Sequence, residues 1–265
     1  MKKETKTGVV VFLDALGVSE YTLAQCREFI GKREKIIERL KFVSEKWGIH
    51  IEKDLEQILL KPNLTIFQDS VIFWWPEQKE NSLHFFFGAS HVLWAIINLA
   101  LEERIFLRGA ISVGEYIYEE SPGKVTIIGP AVADAHRYHD MAVWIGVIQT
   151  PTFQGEYISL LRSLAEKEKR TLAEVIEYHR FLFVPCNIPL HKDEKGNETL
   201  SKAKFFAVSW PQLTYQIEKK GGNEIIEILK EESRRPENSR YKLYYENSVI
   251  FAEWYRDQKF IPPPK

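Results

Sequence analysis

Val9-Val10-Val11-Phe12-Leu13-Asp14-Ala15-Leu16-Gly17-Val18-Ser19 is the stretch on which the reading of this chain turns. Five apolar residues run into one carboxylate, followed by a small residue, a glycine turn and a helical pattern. A strand covered on both faces shows a continuous Val/Ile/Phe/Leu run rather than alternation, so Val9–Leu13 is predicted to be a central strand. Asp14 then ends that strand, where a dry and unpaired carboxylate is costly. It must be solvated, paired or holding a cation.

The whole chain bounds the choice. Its 265 residues allow one large domain with additions, and 45% hydrophobic content supplies a sizeable core. The formal net charge of -1 argues against nucleic-acid binding by charge, because such proteins usually carry a basic excess. A nucleotide as a small substrate remains open. Cys26 and Cys186 are too few for a disulfide framework and lack metal-site spacing, which suits buried thiols in a reducing compartment. The basic N-terminus is followed by too short an apolar run for a signal peptide, so a cytoplasmic location is expected. Leu83–Leu101 has no charged residue and is about long enough to span a bilayer. His84, His91 and Asn98 fall at intervals of seven along it, however, which predicts a core-packed helix with one wetter edge and no membrane span.

Outward from the first strand, Thr22 and Gln25 form a capping-box pattern ahead of a helix carrying Phe29, Ile36, Leu40, Val43 and Trp47. Ile49–Ile58 reads as a connector or short helix. Leu64–Phe67 and Val71–Trp75 flank Gln68-Asp69-Ser70, a hairpin by length and composition. An uncharged helix from about Ser82 to Glu103 follows. Ile105–Val113 is the next strand, with Tyr116–Tyr118 as a candidate extension. A turn at Ser121–Lys124 leads to a short strand, Val125–Ile128. Gly129-Pro130 opens a helix to about His139, and Ala142–Thr150 is a strand stopped by Pro151.

That order predicts a two-layer α+β domain over residues 1–150, with a mainly antiparallel sheet. Residues 151–265 read as an extension packed on the same domain. Helices are expected at Glu156–Lys169 and Thr171–Tyr178, the second behind a Thr171/Glu174 capping box. Strands are expected at Phe181–Leu190 and Lys204–Trp210 around an exposed loop, His191–Ser201. Helices from Asn223 to about Ser233 and from Tyr241 to Gln258 come before a frayed Pro-rich end.

The sharpest constellation is Asp14 with Asp69. In a β-α-β-β arrangement the first strand lies beside the hairpin, so the two carboxylates can meet. Converging carboxylates suit divalent cations, and a two-metal site activates one oxygen while stabilising another. Taken singly, Asp69 reads more often as a turn residue and Asp14 as a helix N-cap or loop residue, and it is the pairing that favours a metal site. Leu16–Ser19 offers backbone N–H groups at a glycine turn, a candidate phosphate cradle. No G-x-x-x-x-G-K-[ST] is present, which excludes a P-loop enzyme. The helix opened by Gly129 carries Arg137, a candidate for neutralising charge in phosphoryl transfer or a plain surface residue. Arg108 either reaches the pocket or sits at a sheet edge. Lys202 and Lys204 either meet a triphosphate or are solvated. His136 and His139, with no third ligand in view, do not read as a metal site.

Four motifs in this order resemble class III nucleotidyl cyclases. Phe12-x-Asp14-x-x-Gly17 is similar to the first metal motif, and Gln68-Asp69-Ser70 stands where Gly-Asp is usual. Leu107-Arg108-Gly109-Ala110-Ile111-Ser112-x-Gly114-Glu115 resembles R-x-G-I-x-x-G-E. Gly129-x-x-Val132-x-x-Ala135-x-Arg137 resembles G-x-x-V-N-x-A-x-R. The resemblance covers about Val9 to Thr150. It implies a ferredoxin-like βαββαβ core, with Asp14 and Asp69 binding two Mg²⁺ or Mn²⁺ ions and the Ala15 carbonyl as a further ligand. It also implies Leu16, Gly17, Val18 and Ser19 around the β- and γ-phosphates, and Arg137 reaching the α-phosphate across a homodimer interface.

The departures from the family pattern concern the base. The adenine-reading Lys is Thr65 and the adenine-reading Asp is Thr126, so these threonines are expected in a base pocket without purine-selecting charges. The ribose-placing Asn is Ala133. The short core and long extension resemble the pyrimidine cyclases of bacterial anti-phage (Pycsar) defence, which implies cyclic UMP as first choice of product and cyclic CMP as second. Two rivals stand beside this. One is a catalytically inactive module of the same fold that binds nucleotides. The other is a palm-type polymerase or diguanylate cyclase, whose expected G-G-D-[DE] hairpin is not what Phe67-Gln68-Asp69-Ser70 spells.

Overall fold

The computed structural model describes residues 3–47, 62–76, 82–121, 124–190, 202–211 and 223–258. The expected connector at Ile49–Ile58, the turn centred on Pro122-Gly123, the His191–Ser201 loop and the C-terminal Pro-rich end lie outside them. The chain runs β1 (Lys3–Ala15), α1 (Leu23–Trp47), β2 (Asn63–Phe67), β3 (Ser70–Pro76), α2 (Ser82–Glu102), β4 (Leu107–Ser121), β5 (Lys124–Ile128), α3 (Pro130–His139) and β6 (Gly146–Gln149). Beyond these come α4 (Pro151–Glu168), α5 (Leu172–Tyr178), β7 (Phe183–Pro189), β8 (Lys202–Val208), α6 (Asn223–Arg234) and α7 (Lys242–Asp257).

The strands form one sheet in the order β2-β3-β1-β4-β6-β8-β7, with β5 paired to β4. Only β4 and β6 run parallel among the described strands, so this is a mixed α+β fold with a mostly antiparallel sheet. The Val9–Leu13 run is central, as its composition predicts: β1 pairs with β3 on one side and β4 on the other. Val9, Val11 and Leu13 enter the large core, while Val10 enters a smaller one with Trp74, Tyr116, Ala131 and Ala135 beneath α3. The strands contributed after Pro151 continue the same sheet, β8 pairing with β6 and β7 with β8.

Local signals hold where they are strong. Thr22 and Gln25 form their reciprocal cap, the Gln25 side chain accepting from the Thr22 N–H at 2.8 Å. Thr171 and Glu174 form a full capping box on α5. The candidate extension at Tyr116–Tyr118 is borne out, because β4 runs unbroken alongside β1 out to Lys3. Three expectations are corrected. The strand expected over Ala142–Thr150 shrinks to Gly146–Gln149. Ahead of it Ala142 makes one isolated bridge to Leu190, and behind it Thr150 turns to cap α4, accepting from the Phe153 N–H at 3.3 Å. Pro151 therefore starts a helix as well as ending a strand, and α4 begins five residues before Glu156. The last helix starts at Lys242, preceded by a 3-10 segment, Pro236–Tyr241.

The wetter edge expected on α2 is also corrected at Asn98. That residue is 5% exposed, and its amide donates to the Trp94 and Trp210 carbonyls at 2.9 Å each. Asn98 is satisfied from within the core, which is how a buried amide avoids its desolvation cost. Among the described residues no helix is long and apolar enough to cross a membrane.

Gly109 shows how close β1 and β4 approach beside Asp14. A Cβ there would lie 2.3 Å from the Phe12 carbonyl oxygen and 2.6 Å from Leu13 Cδ2. Gly109→Ala is expected to cost at least about 2 kcal/mol, since overpacking against backbone cannot relax by rotamer change. The shift in urea midpoint at unchanged slope measures it.

Candidate active site

The site is built at one end of three neighbouring strands. Asp14, at the end of β1, lies opposite Ser70 of β3 and Arg108 of β4. Asp69 occupies the β2–β3 turn, which reverses direction through Gln68 in the left-handed region (φ 54°). That turn is fastened to its surroundings at two points. The Ala15 N–H donates to the Asp69 carbonyl at 3.2 Å, and Arg33 of α1 donates to the Gln68 carbonyl at 2.8 Å. Asp14, Asp69, Ala15–Ser19 and Arg108 line one cavity of about 400 Å³, together with Asp140, Arg240, Tyr241 and Tyr244.

Asp14 is tightly held. Its Oδ1 accepts from the Ser70 hydroxyl at 3.1 Å. Its Oδ2 accepts from Arg108 Nε and Nη2 at 3.3 and 3.2 Å. Arg108 in turn donates from Nη1 to the Tyr244 hydroxyl at 3.3 Å. Burial, and secondarily the negative charge of Asp14, raise the Asp69 carboxyl above its ordinary value, while its own backbone hydrogen bond and Arg108 pull the other way. The lining thus carries three carboxylates, Asp14, Asp69 and Asp140, against two guanidinium groups, and one of those, Arg240, is paired with Glu20.

This excess of negative charge, with one carboxylate destabilised by the other, fits a cation. Among the described residues no group of three His, Cys, Asp or Glu is placed to hold a metal by itself. A pair of carboxylates completed by backbone, water or phosphate oxygens is the mode of a hard divalent ion such as Mg²⁺.

The glycine loop after Asp14 is shorter as a phosphate cradle than its sequence suggests. Gly17 takes φ 84°, a conformation open to glycine and strained for a side chain. The Leu16 N–H is already spent on the Phe106 carbonyl at 2.8 Å, and Glu20 N–H closes back on Gly17 at 3.1 Å. Of the four candidate cradle amides, Leu16 is therefore removed, which leaves Gly17, Val18 and Ser19 as candidates.

The other expected site residues lie elsewhere in the single chain. Thr65 sits on β2 opposite Ile72, and Thr126 on β5 opposite Glu119. Arg137 is exposed on α3. None of the three lines the Asp14 cavity. Lys202 and Lys204 are exposed on β8 and line a different cavity of about 420 Å³, beside Trp144 and Trp254. His139 packs at a tilt against the Phe12 and His136 rings, and burial lowers its pKa.

Arg108 now has its place, in the pocket. Asp140, Arg240, Tyr241 and Tyr244 are not singled out by any sequence motif. The last three come from the far end of the chain, and no local pattern announces them.

No protein-family model matches the sequence, and no curated protein does. Solved structures of similar layout include the catalytic core of a rhodopsin-guanylyl cyclase with converted specificity, in complex with ATPalphaS. It shares 12% identity over 78% of this chain and 98% of that one, with a TM-score of 0.47. The non-canonical dimeric guanylyl cyclase domain of the RhoGC fusion protein from the aquatic fungus Blastocladiella emersonii shares 13% identity over the same fractions of each chain, 78% and 98%, at a TM-score of 0.46. The guanylyl cyclase Cya2 shares 11% over 58% of this chain and 80% of that one, at 0.41. A likeness at this level leaves fold and activity to be read from this chain's own strands and side chains.

The raised Asp69 pKa has a measurable sign. The folded protein holds that proton more tightly than the unfolded chain, so this group's contribution to stability falls as pH rises from its ordinary value of 3.8 through the raised one. Without divalent cations, Asp69→Asn is expected to raise the unfolding temperature at pH 7. The gain should fade as pH drops through the raised value and vanish below the ordinary value of 3.8, where the carboxylate is protonated in both states. Calorimetry at both pH values checks it.

Proposed function

We propose that this protein is a nucleotidyl cyclase that converts a pyrimidine nucleoside triphosphate to its 3′,5′-cyclic monophosphate and pyrophosphate. UTP is the first choice of substrate and CTP the second. The observation that carries this reading is the convergence of Asp14 and Asp69 on one cavity, beside Arg108 and the Gly17 turn. In it, Asp14 and Asp69 hold the divalent cations. When bound, such ions lower the pKa of the ribose 3′-hydroxyl and offset phosphate charge.

The Gly17–Ser19 amides orient the β- and γ-phosphates, and Arg108 adds a fixed positive charge beside them. The 3′-oxygen attacks the α-phosphorus in line, its proton passes to solvent, and pyrophosphate leaves. Arg137 acts from a second subunit on the charge that develops at the α-phosphoryl group. Its exposure on α3, outside its own chain's cavity, is compatible with that role. Positioning and electrostatics then supply most of the acceleration. Thr65 and Thr126 lie outside their own chain's cavity, so in this reading they come, like Arg137, from a second subunit and supply neutral hydrogen-bonding groups where purine-reading charges would stand, which is the basis for a pyrimidine. A second-messenger role in anti-phage defence follows from the same resemblance.

A second reading, a nucleotide-binding module without catalysis, is favoured by one residue. Ala133 cannot make the ribose contact of the amide that the resembling motif carries there.

Incubation with each of the four nucleoside triphosphates and Mn²⁺ decides between them. Cyclic UMP or cyclic CMP is the expected product, and Asp69→Ala should lower its rate at least about 100-fold. Absence of product from all four leaves the binding module. The interface role of Arg137 has its own test. Asp69→Ala and Arg137→Ala should each be inactive, and an equal mixture should recover about a quarter of the wild-type rate, the random-assortment share for a two-fold dimer.

A further inference from the structure

The C-terminal segment Arg240–Tyr244 closes one side of the candidate site, and it is fastened there at three points. Arg240 Nη1 lies 2.6 Å from Glu20 Oε1, and the Tyr241 hydroxyl lies 3.3 Å from the same oxygen. Glu20 ends the one-turn helix Val18–Glu20 that follows the glycine loop. The Tyr241 ring packs on Gly17, where a Cβ would come within 3.3 Å of Tyr241 Cε2. Tyr244 accepts from Arg108 and lies beneath its guanidinium, 5.8 Å from the ring centroid. A segment more than 200 residues beyond the loop and the 3-10 turn, and 136 beyond Arg108, thus touches all three.

Charge decides what this segment is for. A triphosphate entering the cavity meets Asp14, Asp69 and Asp140. Arg108 is committed to Asp14 through two N–H groups and is largely buried. Arg240 is differently placed. Its side chain is 71% exposed, its partner Glu20 is 46% exposed, and its guanidinium rests on the Tyr241 ring at 5.5 Å. An exposed carboxylate pair of this kind is weak and readily exchanged. Phosphate oxygens accept from a guanidinium in the same forked geometry as a carboxylate, with greater charge.

We propose that Arg240 is a polyphosphate-binding residue, supplied in cis by the C-terminal segment and held on Glu20 until the substrate's phosphates take its place. This rests on the reading of the cavity as a nucleoside triphosphate site, and it assigns that site a contact from outside the cyclase-like core. Glu20 is then a parking site, and Tyr241 the platform on which the guanidinium pivots between the two anions.

Inorganic tripolyphosphate with Mg²⁺, titrated into the full-length protein by calorimetry, tests it without any turnover. Arg240→Gln is expected to weaken binding roughly tenfold. Glu20→Gln, which releases the guanidinium, is expected to tighten it about threefold, a gain that misfolding cannot mimic. Arg234→Gln removes an exposed positive charge of the same region that does not line this cavity and should leave binding unchanged. The proposal is overturned if wild type fails to bind tripolyphosphate, if Arg240→Gln binds like wild type, or if Arg234→Gln is as damaging as Arg240→Gln. If the tripolyphosphate pattern holds while no nucleotide is cyclised, Arg240 keeps this role and the cyclase reading falls alone.

Discussion

The register between β1 and β4 sets Asp14 against Arg108, and the candidate site depends on that contact. Antiparallel pairing continues from Lys3 to Ala15, so the position of Asp14 is determined by the whole length of the strand. A slip of one residue would turn Asp14 toward the large core and Leu13 toward the cavity. Burial of Val9, Val11 and Leu13 on one face and Val10 on the other makes such a slip prohibitive. The stability of the sheet and the placement of the carboxylate are therefore one constraint.

The same constraint places Asp69. Strand β3 pairs with the other edge of β1, and Ser70 falls opposite Asp14, which leaves Asp69 at the turn beside it. Asp14 is offset by Arg108 and Ser70, whereas Asp69 has its proton affinity raised by burial and by its neighbour. A folded protein that keeps Asp69 beside a second carboxylate retains a destabilising arrangement, and mutually repelling groups concentrate at functional sites.

Beyond the first 150 residues the chain both widens the sheet and returns to the site. The Ser248 hydroxyl accepts from the Ile145 N–H at 2.7 Å, and Asn247 donates to the Val143 carbonyl at 2.7 Å, so α7 is hydrogen-bonded to the segment that leads into β6. Phe106 packs edge-on against Tyr245. These contacts hold Tyr244 and the preceding turn at the cavity. On the outer side, Arg104 pairs with Glu231 and with the buried Glu232 at 2.7 and 2.6 Å, fixing α6 to the end of α2. Arg235 and Asn238 also bond to the Glu232 carboxylate, at 3.2 and 2.7 Å, so this buried charge is held by several partners.

Features governed by neighbours along the chain are legible in the sequence. The central strand, the β2–β3 hairpin, both capping boxes and the two aspartates depend on runs, turns and caps a few residues long. Where burial rather than local pattern decides, sequence misleads. Ala142–Ile145 is as apolar as a strand but forms a single bridge, since composition cannot separate a strand from any other buried segment. Asn98 reads as a wet edge because a sequence cannot show the Trp210 carbonyl that satisfies it. By itself the sequence determined the α+β class, the strand that carries Asp14 and the carboxylate pair. Only the tertiary structure decided that Arg108 bonds to Asp14, that the Leu16 amide is spent, and that Arg240, Tyr241 and Tyr244 wall the cavity. Some of those contacts join residues more than 200 positions apart, and their energy comes from the packing of the sheet and terminal helices rather than from any local pattern.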